Sequence, residues 1–419
     1  MTALRIGIDG FNLAMPHGTG VATYGHVLAE TLHAGGDEVT AVFGIGGGSP
    51  AARGTRLRIM LRGMAPFLSA RAAETDRAWL HRALAARAAP PFARSVNAPD
   101  LFALAHRHFR HHDRFLPLRM TDPPTIMHWT YPLPVRLVGA RNVYTLHDLV
   151  PLRLPFATRD DTRYYDRLVR RCVATGAHVC TVSEASRADI LRLLGVAADR
   201  VTNTYQAGPP PPDLSAEAIA ADRDMVARLY GLAPQGYFLF VGTIEPKKNV
   251  AALIDAYLAT PPGIPLVLVG ARGWGSAAAL AALDRGDADG RVIHLDYAPR
   301  AQLLGLIRLA RALLFPSLWE GFGLPVLEAL QFGTPVLIGD QGGLPEVAGD
   351  AAVIVDPHDG AALSAGIRAL HDDAALRLRL SAAGPARAAL FSRARYLTRL
   401  HAMYTRILAG TLPGGDDVP

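Results

Sequence analysis

Short apolar runs alternate with helical patterns through most of the first half of the chain. The pattern predicts strands at 6–8, 39–43, 142–146 and 178–182, and helices at 21–32 and 159–175. A strand, a helix and another strand at this spacing are typical of parallel β-structure. Residues 51–120 interrupt the order, and their many alanines and arginines predict a helical insertion.

A second alternation starts after residue 235. Continuous apolar runs at 237–241, 266–269, 292–295, 312–315 and 335–338 favour strands covered on both faces. Between the two halves, Gly208 to Asp213 contains four prolines, which predicts a stiff linker or, as an alternative, a loop within one domain. We therefore predict an α/β protein of two doubly wound, Rossmann-like domains facing a cleft, at 1–210 and 235–385, followed by a C-terminal helix within 386–410 of undetermined packing.

Composition narrows the class of protein. A chain of 419 residues, half of them apolar and 19% charged, is long enough for two buried cores. No apolar run reaches the roughly 18–20 residues that a membrane helix needs, and Asp9 interrupts the apolar start that a signal peptide would require. Two cysteines, Cys172 and Cys180, cannot build a disulfide framework. We expect a cytoplasmic protein.

Positive charge is concentrated in one region. Residues 51–120 hold 13 of the arginines against four acidic residues, although the whole chain has a net charge of only +6. Such a field favours anionic lipid head groups, phosphorylated substrates or nucleic acid, and a solvated helical face is the alternative. Four histidines, His106, His108, His111 and His112, lie among these arginines, which would repel a metal ion, so we interpret them as solvated.

Lysine is used at a single place. The chain has 41 arginines and two lysines, Lys247 and Lys248, in the loop that follows the predicted strand 237–241. Ligands of doubly wound sheets bind beyond the carboxyl ends of strands, where an ammonium group meets a phosphate as a point charge. The loop therefore predicts a phosphate contact, with a solvated surface pair as the alternative.

Two glycine-containing loops precede predicted helices. Gly18 and Gly20 resemble a dinucleotide fingerprint poorly, since Thr23 occupies its last position, but they still offer helix N-terminal amides to an anion. The segment from Gly321 to Leu324 precedes a helix whose first turn contains Pro325. Glu320 lies in that loop and Glu328 about one turn into the helix, so the two carboxylates either face a ligand or lie on the surface of a capped core helix.

These residues carry a resemblance to a known family. Glu320 and Glu328, with Gly-Phe-Gly-Leu-Pro between them, resemble the signature of the retaining glycosyltransferases of family 4. The Val-Gly-Thr-Ile-Glu-Pro-Lys-Lys-Asn loop, the later Gly-Gly-Leu-Pro-Glu-Val segment and the Thr-Leu-His-Asp segment are similar to the same family. The start of the chain, Ile8 to Leu13, resembles the bacterial mannosyltransferase-type members. Only residues 51–120 match weakly.

The resemblance implies a fold and a set of site residues. It implies the two-domain glycosyltransferase B (GT-B) architecture, with the donor nucleotide on the C-terminal half and the acceptor on the N-terminal half. The implied catalytic residues are His147, beside the transferred sugar, and Glu320, which holds that sugar without acting as a covalent nucleophile. The implied donor-binding residues are Gly20, Lys247, Lys248, Gly321, Phe322, Gly323, Leu324 and Glu328. Thr243 departs from the family, since many members carry Arg there.

The function implied is retaining transfer of a hexose, with mannose from GDP-mannose as the best choice. The expected acceptor is a glycan or lipid-linked oligosaccharide in cell-surface polysaccharide synthesis. No cofactor, metal or nucleic acid is expected, and residues 51–120 favour peripheral contact with an anionic membrane, at the inner face of the plasma membrane. Two alternatives remain: a nucleotide-sugar epimerase of the same fold, and a non-catalytic nucleotide- or glycan-binding protein.

Overall fold

The structure is a computed structural model. It describes residues 3–14, 20–46, 59–65, 67–76, 79, 92–208, 210, 213–260, 263–275, 277–288 and 290–410. The strands are β1 (Arg5–Asp9), β2 (Glu38–Phe43), β3 (Ala70–Arg71), β4 (Ala73–Glu74), β5 (Arg94–Asn97), β6 (Leu116–Arg119), β7 (Ile126–Trp129), β8 (Val135–Leu137), β9 (Arg141–Thr145), β10 (His178–Thr181), β11 (Val201–Asn203), β12 (Phe238–Val241), β13 (Leu266–Val269), β14 (Val292–Leu295), β15 (Ala312–Phe315), β16 (Val336–Gly339) and β17 (Ala352–Val355).

Helices alternate with these strands. They are α1 (Gly20–Ala34), α2 (Leu101–His112), α3 (Val150–Arg153), α4 (Thr162–Thr175), α5 (Glu184–Leu194), α6 (Ala216–Tyr230), α7 (Val250–Leu258), α8 (Ala277–Ala288), α9 (Arg300–Leu309), α10 (Leu324–Phe332), α11 (Leu344–Ala348), α12 (Gly360–Asp372), α13 (Ala374–Ala388) and α14 (Arg393–Ala409). Single 3₁₀ turns lie at Pro155–Ala157, Ala198–Arg200, Pro246–Lys248 and Ala389–Phe391.

The strands form two large sheets, one in each half of the chain. The first has the order β11-β10-β9-β7-β1-β2-β5-β4, in which only the edge strand β4 runs antiparallel. The second has the order β14-β13-β12-β15-β16-β17 and is parallel throughout. In both sheets the strand order reverses, between β1 and β7 and between β12 and β15. This is the doubly wound α/β class that the alternating pattern predicts.

The second sheet is buried on both faces. All residues of β12, β13, β15 and β16 are buried, and the rings of Phe240 and Phe315 stack across neighbouring strands at 6.1 Å between centroids. Continuous apolar runs are expected when helices cover both faces of a parallel sheet. The domain boundaries themselves stay predictions, since residues 209, 211 and 212 of the proline segment lie outside the described residues.

The helical interpretation of residues 51–120 is wrong for much of its described part. Besides α2, that part contains β4 and β5 of the first sheet, and β3 and β6, which join β8 in a three-stranded sheet. Leu116 and Leu118 are buried while Arg119 is exposed, so a period-two pattern was present but hidden by the Ala- and Arg-rich composition. Residues 51–58, 66, 77, 78 and 80–91 lie outside the described residues.

The C-terminal helix α14 returns to the first domain and packs against α1. Arg393 contacts Glu30 at 2.6 Å, and His401 contacts Asp37 at 2.6 Å. Further along, the hydroxyl of Tyr404 lies 2.5 Å from Nδ1 of the buried His128 on β7. The sequence leaves the packing of this helix open, and the structure places it against the first domain.

Two further expectations concern compartment and membrane. Cys172 and Cys180 are both buried free thiols. Within the part of the chain that the structure describes, none of the helices combines the length and apolar character needed to span a bilayer.

Candidate active site

Lys248 and Glu320 meet where the strand order of the second sheet reverses. Lys248 lies in the loop after β12 and Glu320 in the loop after β15, and the Lys248 Nζ donates a hydrogen bond of 2.6 Å to Glu320 Oε1. The two side chains are only 14% and 10% exposed, and the ammonium group lies 4.8 Å from the centroid of the Phe315 ring. Ligands of doubly wound sheets bind at this reversal.

The lysine loop is held by its neighbours. Pro246–Lys248 forms one 3₁₀ turn that ends at Asn249, whose φ of 58° lies in the left-handed region that Asn tolerates. The Asn249 side-chain amide donates to the Pro357 carbonyl at 2.6 Å, and the Leu318 N–H donates to the Lys247 carbonyl at 2.8 Å. The loops after β12 and β15 are therefore tied together directly beside the Lys248–Glu320 pair.

Electrostatics keep this cluster ionised. Burial alone would raise the pKa of Glu320, but the ammonium groups of Lys248 and Lys247 and the hydrogen bonds to its carboxylate hold it below its usual range. The charge of Glu320 in turn raises the pKa of Lys247 well above its usual value, against the effect of burial, with Asp148 and Glu245 adding to the shift. Lys247 Nζ lies 3.6 Å from Glu245 Oε1.

The backbone from Gly321 to Leu324 lies at the contact between the two domains. A Cβ on Gly321 would lie 2.5 Å from the His147 carbonyl oxygen, so only glycine allows this approach. Gly323 has a φ of 99° and directly precedes α10, whose first turn contains Pro325 as predicted. Phe322 is buried, and its ring packs edge-on against Phe391 at 5.4 Å. The backbone of this segment, rather than the Phe322 side chain, therefore lies next to the first domain.

Glu328 is a buried carboxylate with a partner that the sequence did not indicate. Arg300, at the start of α9, donates from both guanidinium nitrogens to the two Glu328 oxygens at 3.0 and 2.8 Å. The Glu328 side chain is 5% exposed and that of Arg300 is 49% exposed. The alternative of two surface carboxylates on a core helix is thus wrong, because Glu320 and Glu328 are both buried. No spacing rule relates Arg300 to Glu328, so only the fold reveals the pair.

His147 lies beyond the end of β9, on the opposite side of the cleft. Its Nε2–H donates to the Thr130 carbonyl at 2.9 Å, and the Tyr24 ring meets its ring edge-on at 4.7 Å. Burial lowers the pKa of His147 despite the Thr130 hydrogen bond and the nearby Asp148. The imidazole is therefore neutral near pH 7 and presents Nδ1 as an acceptor.

The reversal of the first sheet contains another buried acid. Asp9, at the end of β1, accepts from the Thr130 N–H at 2.5 Å and from the Phe11 N–H at 3.2 Å. Burial raises the pKa of Asp9 to about 6, even though these hydrogen bonds lower it. Asp9 fixes the position of Thr130, whose carbonyl in turn orients His147.

An open cleft of about 320 Å³ separates the two domains beside these loops. His147 and Lys247 line it, whereas Lys248, Glu320 and Glu328 do not. Gly20 begins α1, with Val21 next to it in the cleft wall, and a Cβ on Gly20 would meet no atom within 4 Å. Gly18 lies outside the described residues. The other lining residues are Tyr131, Pro132, Asp148, Val150, Pro151, Ala157, Thr158, Arg159, Asp160, Tyr165, Glu245 and Trp274.

The structure corrects the solvated interpretation for three of the four histidines, whereas His111 is exposed as predicted. His108 is buried, and His106 Nδ1 lies 2.5 Å from the Tyr164 hydroxyl. Burial, with Arg110 adding to it, lowers the pKa of His106 to about 4. His112 Nε2 donates to the Met64 carbonyl at 3.0 Å. His106, His108 and His112 therefore attach α2 to its neighbours.

Metal binding has no geometric support in the described part of the chain. No group of three or more His, Cys, Asp or Glu side chains is arranged there to hold an ion. The sequence has Asp-x-Asp triplets at 222–224 and 287–289. Asp222 lies on α6, where it pairs with Arg308 at 3.0 Å. That metals play no part in the reaction stays a prediction.

Comparisons with known proteins identify the family of the chain. The family model described as "Glycosyl transferases group 1" matches residues 232–387. Over 267 residues, the chain is 38% identical to O-antigen chain mannosyltransferase B of Escherichia coli, covering 62% of this chain and 68% of that protein. It is 28% identical over 338 residues to the serotype-specific mannosyltransferase WbdA of Escherichia coli, covering 78% of this chain but only 39% of WbdA.

The fold is similar to that of a solved glycosyl-transfer enzyme. Sucrose-phosphate synthase from Thermosynechococcus elongatus superposes with a TM-score of 0.67 over 96% of this chain and 99% of the other, at 17% sequence identity. An identity this low bears on the fold alone. The superposition confirms the expected GT-B architecture of two Rossmann-like domains around a cleft.

Proposed function

This chain belongs to the group 1 glycosyl transferases, and from that premise we propose that it is a retaining mannosyltransferase using GDP-mannose. Its acceptor is a glycan or lipid-linked oligosaccharide in the synthesis of a cell-surface polysaccharide. The choice of mannose is supported by the 38% identity to O-antigen chain mannosyltransferase B. The observation that carries the proposal is the buried Lys248–Glu320 pair at the strand-order reversal beside the cleft.

The lysines stabilise the leaving group. When the bond between the sugar and the diphosphate breaks, negative charge grows on the departing phosphate oxygen. Lys248 uses one of the three N–H groups of its ammonium on Glu320 and offers the others to the diphosphate, while Lys247 adds a second positive charge at the cleft wall. Fixed positive groups aimed at a developing negative charge give the largest single contribution to catalysis. No metal ion is required in this scheme.

Glu320 and His147 hold the sugar from opposite sides of the cleft. The Glu320 carboxylate and the backbone from Gly321 to Leu324 bind hydroxyls of the transferred mannose. The neutral His147 accepts a hydrogen bond from a sugar hydroxyl at Nδ1. Glu328, oriented by Arg300, binds the ribose, and the amides at Gly20 approach the phosphate from the first domain.

Retention follows from attack on the face that the phosphate leaves. The bond between mannose C1 and the phosphate oxygen breaks, and its electron pair goes to GDP. The acceptor oxygen forms a bond to C1 on the same face, and its proton passes to the departing phosphate oxygen. In this scheme Glu320 binds the sugar and forms no covalent bond to it.

The acceptor side favours peripheral contact with an anionic membrane at the cytoplasmic face. Met60, Leu61, Met64 and Phe67 are large exposed apolar residues of one short segment. That segment rests on α2, because a Cβ on Gly63 would lie 2.4 Å from the Arg107 side chain. Exposed apolar residues among basic ones are typical of proteins that bind at a membrane surface.

A donor screen tests the proposal. GDP-mannose at 100 times its dissociation constant adds about 2.7 kcal/mol to the free energy of unfolding, so we expect a higher melting temperature with GDP-mannose than with UDP-glucose. We expect GDP release to require an acceptor glycan, which an epimerase would not need. Glu320→Gln should lose turnover, while Glu217→Gln, at an exposed position on α6, serves as its control. GDP release that is independent of acceptor, or no stabilisation by any nucleotide sugar, would reject the proposal.

A further inference from the structure

The cleft contains two aromatic rings that the donor scheme does not use. Tyr131 lies in the first domain and Trp274 in the second, and both line the cleft. Each side chain presents a flat apolar face with a polar group at its edge, the arrangement that covers the C–H face of a sugar ring. Sites for small ligands commonly combine such faces with a few well-placed polar groups.

Trp274 is fixed in place by the loop that carries the lysines. The Ile244 N–H donates to the Ala271 carbonyl at 2.9 Å, and the Gly273 N–H donates to the Ile244 carbonyl at 3.0 Å. Gly275, with a φ of 61°, packs so closely that an added Cβ would lie 2.8 Å from Pro246 Cγ. The backbone of the segment that carries Trp274 is therefore positioned by the same loop that carries Lys247.

Tyr131 is held from the other side. Its ring stacks on Phe11 at 6.4 Å between centroids. Burial raises the pKa of Tyr131 to about 12, with Asp160 and Asp148 adding to the shift. The phenol is therefore a neutral hydroxyl at any working pH and serves as a hydrogen-bond donor.

The charges around these rings are mixed, with three acidic and two basic side chains. Asp148, Asp160 and Glu245 line the cleft, against Lys247 and Arg159. Lys247 interacts with Asp148 as well as Glu245, and the proposed function assigns it to the donor phosphate. The Arg159 guanidinium lies over the Trp274 ring, 5.7 Å from its centroid, which leaves Asp160 as the acidic side chain nearest to it in sequence. An ionised carboxylate only accepts hydrogen bonds, so Asp148 and Asp160 suit hydroxyl donors and repel a second carboxylate or phosphate.

We infer that this part of the cleft is the subsite for the acceptor sugar and that it selects an uncharged pyranose. The sugar ring lies against Trp274 and Tyr131, and its hydroxyls donate to Asp148 and Asp160. Acidic sugars, such as uronates and phosphorylated hexoses, are excluded by the carboxylates. The inference rests on the proposed function and adds to it the chemical class of the acceptor sugar.

A matched pair of glycosides tests the inference without requiring turnover. Methyl α-mannoside and methyl α-mannuronide differ only by oxidation of C6 to a carboxylate. Each is titrated by ligand-observed NMR into the protein saturated with GDP. We expect the mannoside to bind at least about tenfold more tightly, and Asp160→Asn to narrow that preference about fivefold, because one repelling charge is removed.

Two further variants complete the experiment. Trp274→Ala should weaken mannoside binding about tenfold, while its stabilisation by GDP-mannose stays as in the wild type. Phe156→Ala, which removes an exposed ring of the neighbouring segment that does not line the cleft, should leave mannoside binding unchanged.

The outcomes separate this inference from the proposed function. Equal binding of the two glycosides, no binding of the mannoside, or unchanged binding in Trp274→Ala would overturn the neutral-sugar subsite. An absence of stabilisation by GDP-mannose in the wild type would instead reject the proposed donor and leave the glycoside comparison valid.

Discussion

Replacing Lys248 by Met tests the buried pair most directly, because Met preserves much of the stem and removes only the ammonium. Glu320 then loses its partner at 2.6 Å while its own side chain remains 10% exposed. Breaking a buried ion pair costs about 3–5 kcal/mol, and we expect the low end, since Lys247 still acts on Glu320. At about 2–4 °C per kcal/mol for a domain of this size, the melting temperature should fall by roughly 6–12 °C.

The loss should depend on pH with a defined sign. In the wild type the pKa of Glu320 is lowered, so the ionised carboxylate contributes stability above its ordinary pKa, and this contribution is lost as the pH falls through the lowered value. In Lys248→Met burial dominates, and the pKa of Glu320 rises instead. The difference in melting temperature should then be largest near about pH 7.5 and should shrink towards about pH 5, where Glu320 is protonated in the variant.

Activity separates the structural role of the pair from its chemical role. Loss of a hydrogen bond to a charged phosphate should lower kcat/KM about ten- to hundredfold. Adding Glu320→Gln to Lys248→Met removes the stranded charge, so the double variant should recover most of the melting temperature and none of the activity. Lys247→Met is the control, with a smaller thermal loss because Lys247 is 23% exposed and lies 3.6 Å from Glu245.

A refuting result is simple to state. If Lys248→Met melts like the wild type at every pH, the ammonium does not support the charge of Glu320. If the variant keeps wild-type kcat/KM, Lys248 does not touch the diphosphate. Differential scanning calorimetry across pH and steady-state kinetics with GDP-mannose measure the two quantities.

Three further outcomes are expected. EDTA should change turnover by less than about twofold, because lysines and amides carry the leaving-group charge; activity lost in EDTA and restored by Mg²⁺ would contradict this. The protein should sediment with anionic liposomes at low salt and not at high salt. Binding to neutral liposomes alone would reject the hypothesis that the basic residues of 51–120 bind an anionic membrane. Because the pKa of Asp9 is raised to about 6, the free energy of unfolding of the wild type should fall as the pH rises from about 4 to 6. Calorimetry should show no such fall in Asp9→Asn, and an identical pH dependence in that variant would show that another group causes it.

Much of the framework could be predicted from the sequence because its signals are local. The apolar runs at 237–241 and 312–315 match β12 and β15 closely, since a strand buried on both faces has no polar positions. The sequence placed the lysine loop at the carboxyl end of a predicted strand, and the family resemblance assigned the Gly321 to Leu324 segment to the donor. That the two loops meet follows from the strand order, which only the structure gives.

The remaining features depend on contacts that are distant in sequence. Arg300 and Glu328 are 28 residues apart and no spacing joins them. Leu116 and Leu118 lie in a strand too short to outweigh the Ala- and Arg-rich composition around it. Trp274 becomes a cleft residue only because Ile244 pairs with the segment before it.

The return of α14 to the first domain determines how the cleft can move. The chain leaves the first sheet after β11, since Gly208 already lies against Leu327 of α10, and it returns between Phe391 and Arg393, where Arg393 contacts Glu30. Two domains that are joined at two points rotate most easily about the line through those points, and they resist twisting or sliding relative to each other. Opening should therefore part Trp274 from Arg159 while the residues nearest that line hardly separate. Donor and acceptor would then enter by one swinging motion, with the axis set by the C-terminal helix.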